Sequence, residues 1–192
     1  MAATKGEDKR RRIVEAATSL FNRYGFKRTS VDLLAAEAGV AKPTVYAYFD
    51  DKDAIFRAVA EHVCDELLAA AERASTADAP IDERLGGMLA AKLTRYWELV
   101  HASPHAQELL DSQGRLGSEV VQRADRAYLD LLASVIESSK EIDPRRAGLT
   151  AKSAAALLVR AASGAAYDAT SAASHRKHLT EIVRVITAAM KR

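Results

Sequence analysis

Cysteine is almost missing from this chain. Cys64 is its single thiol in 192 residues, so no disulfide can close within one molecule and a disulfide-stapled scaffold is excluded. Proline (4) and glycine (9) are scarce, which leaves few breaks and no low-complexity linker. No uncharged apolar run approaches the ~20 residues that cross a bilayer. Residues 1–12 are polar and basic, without the apolar core of a signal peptide. The expectation is a soluble, cytoplasmic protein. Chemistry-bearing patterns are missing too: there is no Gly-rich phosphate loop, no Gly-x-Ser-x-Gly and no Cys/His cluster. A di-metal bundle needs Glu-x-x-His on two helices, whereas His105 and Glu108 supply one pair in reversed order. No enzyme activity, cofactor or metal site is expected.

Alanine is what the chain has in quantity, 39 residues. It loses no side-chain entropy in a helix, so the composition leans to an all-α fold. With 48% hydrophobic and 28% charged residues the chain is an ordinary globular one, long enough for one domain or a small module on a larger body. Apolar residues recur at helical spacing throughout. A first helix over about 9–24 is expected to bury Ile13, Ala16, Ala17, Leu20, Phe21 and Tyr24 on one face, and Gly25 stands where a left-handed cap would end it. Short helices follow over 31–38, capped by Thr29 or Ser30, and over about 41–49, where Pro43 falls in the first turn. A long helix is expected over 52–73. Beyond the break at 75–80, further helices are expected over about 81–101, from 103 to about 114–117, and over 118–139, 149–171 and 175–191.

The charge is uneven. Residues 1–49 hold nine Lys and Arg against five Asp and Glu, net +4, while residues 50–192 are net −2. The excess gathers in Lys9-Arg10-Arg11-Arg12. A basic head on a near-neutral body suits a polyanion at the head, or else a solubilising tail. Residues 30–49 decide between these: helix, Gly-centred turn, short helix is the geometry of a helix-turn-helix, whose second helix shows its first side chains to the major groove. The second helix here exposes Lys42, Thr44, Tyr46, Ala47 and Tyr48, with Val45 and Phe49 turned to the core. Lys and Thr suit phosphate or guanine, and Tyr hydroxyls reach phosphates.

The residues Ile13-Val14-Glu15-Ala16-Ala17, Leu20-Phe21, Tyr24-Gly25-Phe26, Thr29-Ser30-Val31, Ala38-Gly39-Val40, Pro43-Thr44-Val45-Tyr46-Ala47-Tyr48-Phe49 and Lys52-Asp53 closely resemble the DNA-binding module of TetR-family transcription regulators. That resemblance covers about 50 residues. It implies a three-helix DNA-binding domain over 1–50 and a helical ligand-binding and dimerisation domain over 51–192. It also implies a homodimer built by the last two helices, and DNA contacts from Thr29, Ser30, Lys42, Pro43, Thr44, Tyr46, Ala47 and Tyr48, with Lys52 at a phosphate. One departure is Ala41, where the family often has a capping Ser.

Small residues over 149–171 and the stripe Leu179, Ile182, Val183, Ile186 and Met190 suit a two-fold four-helix interface, or closure of the monomer's own core. In the body, Tyr96, Trp97, His101, Tyr128 and Tyr167 are the candidate ligand-pocket residues, with His105 beside them, because ligand sites pair apolar walls with a few polar tips; core packing is the plainer role for each. His175 and His178 read as a solvated helix start, and Cys64 as a small buried hydrophobe. The function expected is a ligand-responsive, sequence-specific transcriptional repressor, released from a palindromic double-stranded operator by a small molecule. The alternative is a helical ligand-binding or adaptor protein whose DNA module no longer works.

Overall fold

A computed structural model describes residues 5–94, 96–98, 103–165 and 169–192. The fold is all-α, as the composition predicts. Its elements are α1 (Lys5–Tyr24), α2 (Val31–Glu37), α3 (Lys42–Tyr46), α4 (Lys52–Ser75), α5 (Ile81–Leu89), a π-helical turn (Ala90–Thr94), α6 (Ala106–Leu116), α7 (Ser118–Ser138), a 3₁₀ turn (Pro144–Ala147), α8 (Ala151–Gly164) and α9 (Ala172–Ala188). Among the described residues the one β feature is a lone antiparallel bridge between Ile142 and Lys191. No described helix is long and apolar enough to cross a membrane.

The chain divides into two compact units. The first comprises Met1–Cys64 and Val100–Gln122, the second Asp65–Leu99 and Arg123–Arg192. The division expected at residues 50 and 51 falls inside the first unit. The reason is packing: Ile55, Phe56 and Val59 at the start of α4 are buried with Ile13, Ala17, Leu20 and Phe21 of α1, Leu34 of α2 and Val45 of α3. Phe26 stands edge-on to Phe21 and Phe56, with ring centroids 5.3 and 5.1 Å apart, a favoured aromatic geometry. Gly25 ends α1 with φ +82°, a conformation that costs a residue with a Cβ about 1–2 kcal/mol.

In the second unit Leu85, Met88 and Leu89 of α5 bury against Leu132 and Ile136 of α7, Leu158 of α8, and Leu179 and Val183 of α9. Three expectations change here. The helix expected over 81–101 gives way after Leu89 to the π-helical turn. The helix expected over 149–171 stops at Gly164. The last helix begins earlier than 175, because the Ser171 hydroxyl accepts the Ser174 N–H at 3.1 Å and caps it there. The apolar stripe expected for the last helix is also split. Leu179, Val183 and Met190 are spent on the unit's own core, whereas Ile182 and Ile186 are half-buried. Cys64 is half-buried, not a core residue.

Candidate functional site

The head is built around the turn between α2 and α3. Ser30 caps α2, its hydroxyl accepting the Leu33 N–H at 3.2 Å. Thr29 takes the other role. It is 1% exposed, and its hydroxyl donates to the Gly25 carbonyl at 2.7 Å, satisfying an acceptor left over by the end of α1. Thr29 therefore supports the loop and offers no surface to DNA, contrary to the expectation. Gly39 makes the turn with φ +63°, and a Cβ there would lie 2.6 Å from Arg12 Nη2. Val40 then closes back on Ala35, its N–H 2.9 Å from that carbonyl.

α3 starts without a side-chain cap at Ala41. Lys42, Pro43, Tyr46 and Ala47 are exposed, Thr44 and Tyr48 half-buried, and Val45 and Phe49 buried. Lys42 donates to the exposed Asp32 carboxylate at 2.9 Å, and that hydrogen bond raises its pKa, so the ammonium stays charged. Lys52 is placed differently from its expected phosphate contact. Its ammonium donates to the carbonyls of Phe26, Lys27 and Thr29 at 3.0, 3.3 and 3.1 Å and stands 4.6 Å from the Phe26 ring centroid. An ammonium has three donors, and all three are used in holding the α1–α2 loop.

Much of the basic run is committed inside the same unit. Arg10 lies over the Phe49 ring at 5.2 Å, Arg11 pairs with Asp8 and Glu15 at 2.5 and 2.8 Å, and Arg12 reaches the Ala38 carbonyl at 2.5 Å. Local periodicity gave no sign of a further support, which comes from α6 and the residues just before it. Glu108 accepts the Lys27 N–H at 2.6 Å, and Ser103 donates to the Asn22 carbonyl at 3.1 Å. A Cβ at Gly25 would meet Glu108 Oε2 at 2.7 Å and the His105 ring at 3.2 Å. His105 thus belongs to the first unit, not to a body pocket.

In the second unit Tyr128 is 2% exposed, with Lys92 Nζ 4.4 Å from its ring centroid and Lys92 in turn paired to Asp125 at 2.5 Å. His175 is 1% exposed, which corrects the solvated reading. Its Nδ1 lies 2.9 Å from the Thr94 hydroxyl, and its ring stacks on Trp97 with centroids 6.2 Å apart and planes 16° apart. The spacing could have revealed it, since 175, 179 and 183 are four apart on one face of α9. The Tyr128 hydroxyl and His175 Nε2 are buried without a hydrogen-bond partner. Burial raises the Tyr128 pKa well above its ordinary value. Desolvation, then His178 and Arg176, lowers that of His175. Tyr96 is exposed, while His101 and Tyr167 lie outside the described residues. Among the described residues no three His, Cys, Asp or Glu side chains converge as metal ligands.

Comparison with known proteins places this geometry. The profile of bacterial regulatory proteins of the tetR family matches residues 13–59, the span of the head from α1 into α4. An HTH-type transcriptional regulator of Bacillus subtilis, YhgD, is 30% identical over 134 residues, 68% of each chain. The chain belongs to the TetR family. As a TetR-family protein it is a DNA-binding transcriptional regulator and not an enzyme. Solved structures agree on the fold across both units. A TetR-family regulator from Rhodococcus sp. superposes with a TM-score of 0.72 at 21% identity, over 94% of this chain and 98% of that one. SmeT, the repressor of a multidrug efflux pump of Stenotrophomonas maltophilia, was solved in complex with triclosan; that complex has a TM-score of 0.64 at 20% identity, over 96% of this chain and 92% of SmeT. In TetR-family terms α2 and α3 are the helix-turn-helix, and the supports found here, Arg12, Thr29, Lys52 and Glu108, hold its frame.

Proposed function

We propose that this protein is a cytoplasmic repressor that binds a two-fold-symmetric operator as a homodimer and leaves it when a small molecule occupies the second unit. The observation that carries the DNA half is α3 itself. Val45 and Phe49 lock the helix into a packed core, while Lys42, Pro43, Tyr46 and Ala47 stand exposed on its other side. A five-residue helix with no side-chain cap holds a fixed surface only because its neighbours hold it. Ser30, Lys42, Pro43, Thr44, Tyr46, Ala47 and Tyr48 are the proposed contact residues, Lys42 at a phosphate or guanine and the Tyr hydroxyls at phosphates. Thr29 and Lys52 position the loop behind them.

The dimer half rests on α8 and α9. Leu157 is exposed and Val185 is 72% exposed, with Ile182 and Ile186 half-buried beside Val185 on α9. Large apolar side chains left open at helical spacing suit a partner helix pair, and a palindromic site needs two heads. The effector half is supported by the buried, unpartnered Tyr128 hydroxyl and His175 Nε2 of the second unit, and by SmeT, a repressor of this fold solved with triclosan. In the proposed cycle the effector binds one of two states more tightly, and that difference in affinity, typically about 1–3 kcal/mol, sets the coupling. α4 carries it, being one continuous helix from Lys52 to Ser75.

Selection of bound duplexes from a random DNA pool at near-physiological salt, with the protein's mass in solution recorded alongside, tests the proposal. A two-fold-symmetric consensus bound by a dimer is expected. A folded dimer that enriches nothing overturns it in favour of a helical ligand-binding or adaptor protein.

A further inference from the structure

We propose that the second unit binds a neutral aromatic molecule carrying a hydroxyl group, beside the π-helical turn, with the Tyr128 hydroxyl and His175 Nε2 as its hydrogen-bonding partners. This deepens the effector reading above and rests on it. Native interiors leave very few buried polar atoms unpaired, and each exception calls for a missing guest or a water. Among the described residues the Tyr128 hydroxyl and His175 Nε2 are such atoms, on side chains of two different helices. Both helices meet the same five-residue turn: Tyr128 through Lys92, at 4.4 Å from its ring, and His175 through Thr94, at 2.9 Å. The turn is π-helical, a widened form found mostly as single turns and frequent at functional sites.

The chemistry of the guest follows from the groups around it. Trp97 and His175 stack on one another with near-parallel planes, and with the ring of Tyr128 they form aromatic surroundings that suit an aromatic guest. Charges nearby are already matched, Lys92 with Asp125 at 2.5 Å and Arg176 with Glu98 at 3.5 Å. Desolvation keeps both Tyr128 and His175 in their neutral forms, and a charged guest in the same place meets the same penalty. A hydroxyl both donates and accepts. It therefore satisfies a Tyr hydroxyl and either tautomer of an imidazole whose other nitrogen is held by Thr94.

Trp97 is the one tryptophan of the chain, so its emission reads this site. The full-length protein is titrated with benzyl alcohol, toluene, benzylammonium and benzoate, four probes sharing one ring. Benzyl alcohol is expected to bind about tenfold or more tightly than each of the others, the selectivity that a pair of buried hydrogen-bonding groups supplies. Tyr128→Phe keeps the ring and removes the hydroxyl, His175→Phe keeps a ring and removes both nitrogens, and each should cut that preference to about threefold or less. Toluene or an ion binding as well as the alcohol overturns the proposal without any variant, as does the absence of binding by all four. An unchanged preference in both folded variants overturns it as well. Duplex selection on the same preparation separates the two readings. Alcohol binding without DNA enrichment removes the repressor alone, whereas DNA enrichment without alcohol preference removes this site alone.

Discussion

Arg12 on α1 donates to the carbonyl of Ala38, 26 residues later, at 2.5 Å. That bond ties the first helix to the turn of the helix-turn-helix, and it is possible because residue 39 has no side chain to occupy the same space. Gly39 needs its freedom twice, for φ +63° and for the 2.6 Å that would separate its Cβ from the guanidinium.

Gly39→Ala should therefore destabilise the protein by about 1–2 kcal/mol from backbone strain, with more added by the displaced Arg12. Urea unfolding of Gly39→Ala, Arg12→Ala and the double variant separates the two parts. The cost of the alanine should shrink when Arg12 is already gone, and strict additivity would mean that the two residues do not compete for space.

Two lysines expected to act alike should behave differently. Lys42→Ala should weaken operator binding and lower the slope of log affinity against log salt by about one per subunit. Lys52→Met should leave that slope unchanged and reduce stability by about 1–2 kcal/mol, because its three donors hold carbonyls. A slope that also falls for Lys52→Met would return Lys52 to the phosphate contacts.

Val185, 72% exposed on α9, reports on the proposed dimer. Val185→Asp should halve the mass measured by light scattering at micromolar protein and lower operator affinity at least tenfold, while the melting of the helices stays cooperative. A dimer that survives both Val185→Asp and Leu157→Asp would place the interface elsewhere.

His175 makes stability depend on pH. Its pKa is lowered in the folded state, chiefly by desolvation, from an ordinary value of 6.5. Below pH 6.5 the unfolded chain takes up a proton that the folded one resists, so this contribution is full above that value and is lost as the pH falls. The urea midpoint should drop between pH 7 and about 5, and His175→Phe should remove part of the drop. An identical pH profile in the variant would assign the titration to another group.

Much of the head was legible because its signals are local. The stop at Gly25, the turn at Gly39, Pro43 in a first turn and the buried pair Val45 and Phe49 each depend on residues within about four positions, the reach of a helical turn or a cap. The same locality explains the boundaries of α2, and the choice between Thr29 and Ser30 was the one ambiguity there. Both have a hydroxyl at the right distance, and only the packing of the loop turned Thr29 inward.

What the amino-acid sequence determined by itself was an all-α chain of alanine-rich helices with a helix-turn-helix near its start and a basic excess around it. Periodicity, capping and composition are properties of neighbours along the chain. Tertiary structure decided the rest: that Lys52 and Arg12 serve carbonyls 26 residues away, that Glu108 braces a loop 81 residues before it, and that Leu179, Val183 and Met190 of the last apolar stripe close the unit's own core. It also decided that His175, flanked by Ser174 and Arg176, is buried against Thr94 and Trp97. A buried polar group is stable only with the partners that packing brings to it, and those partners come from helices the local pattern cannot pair.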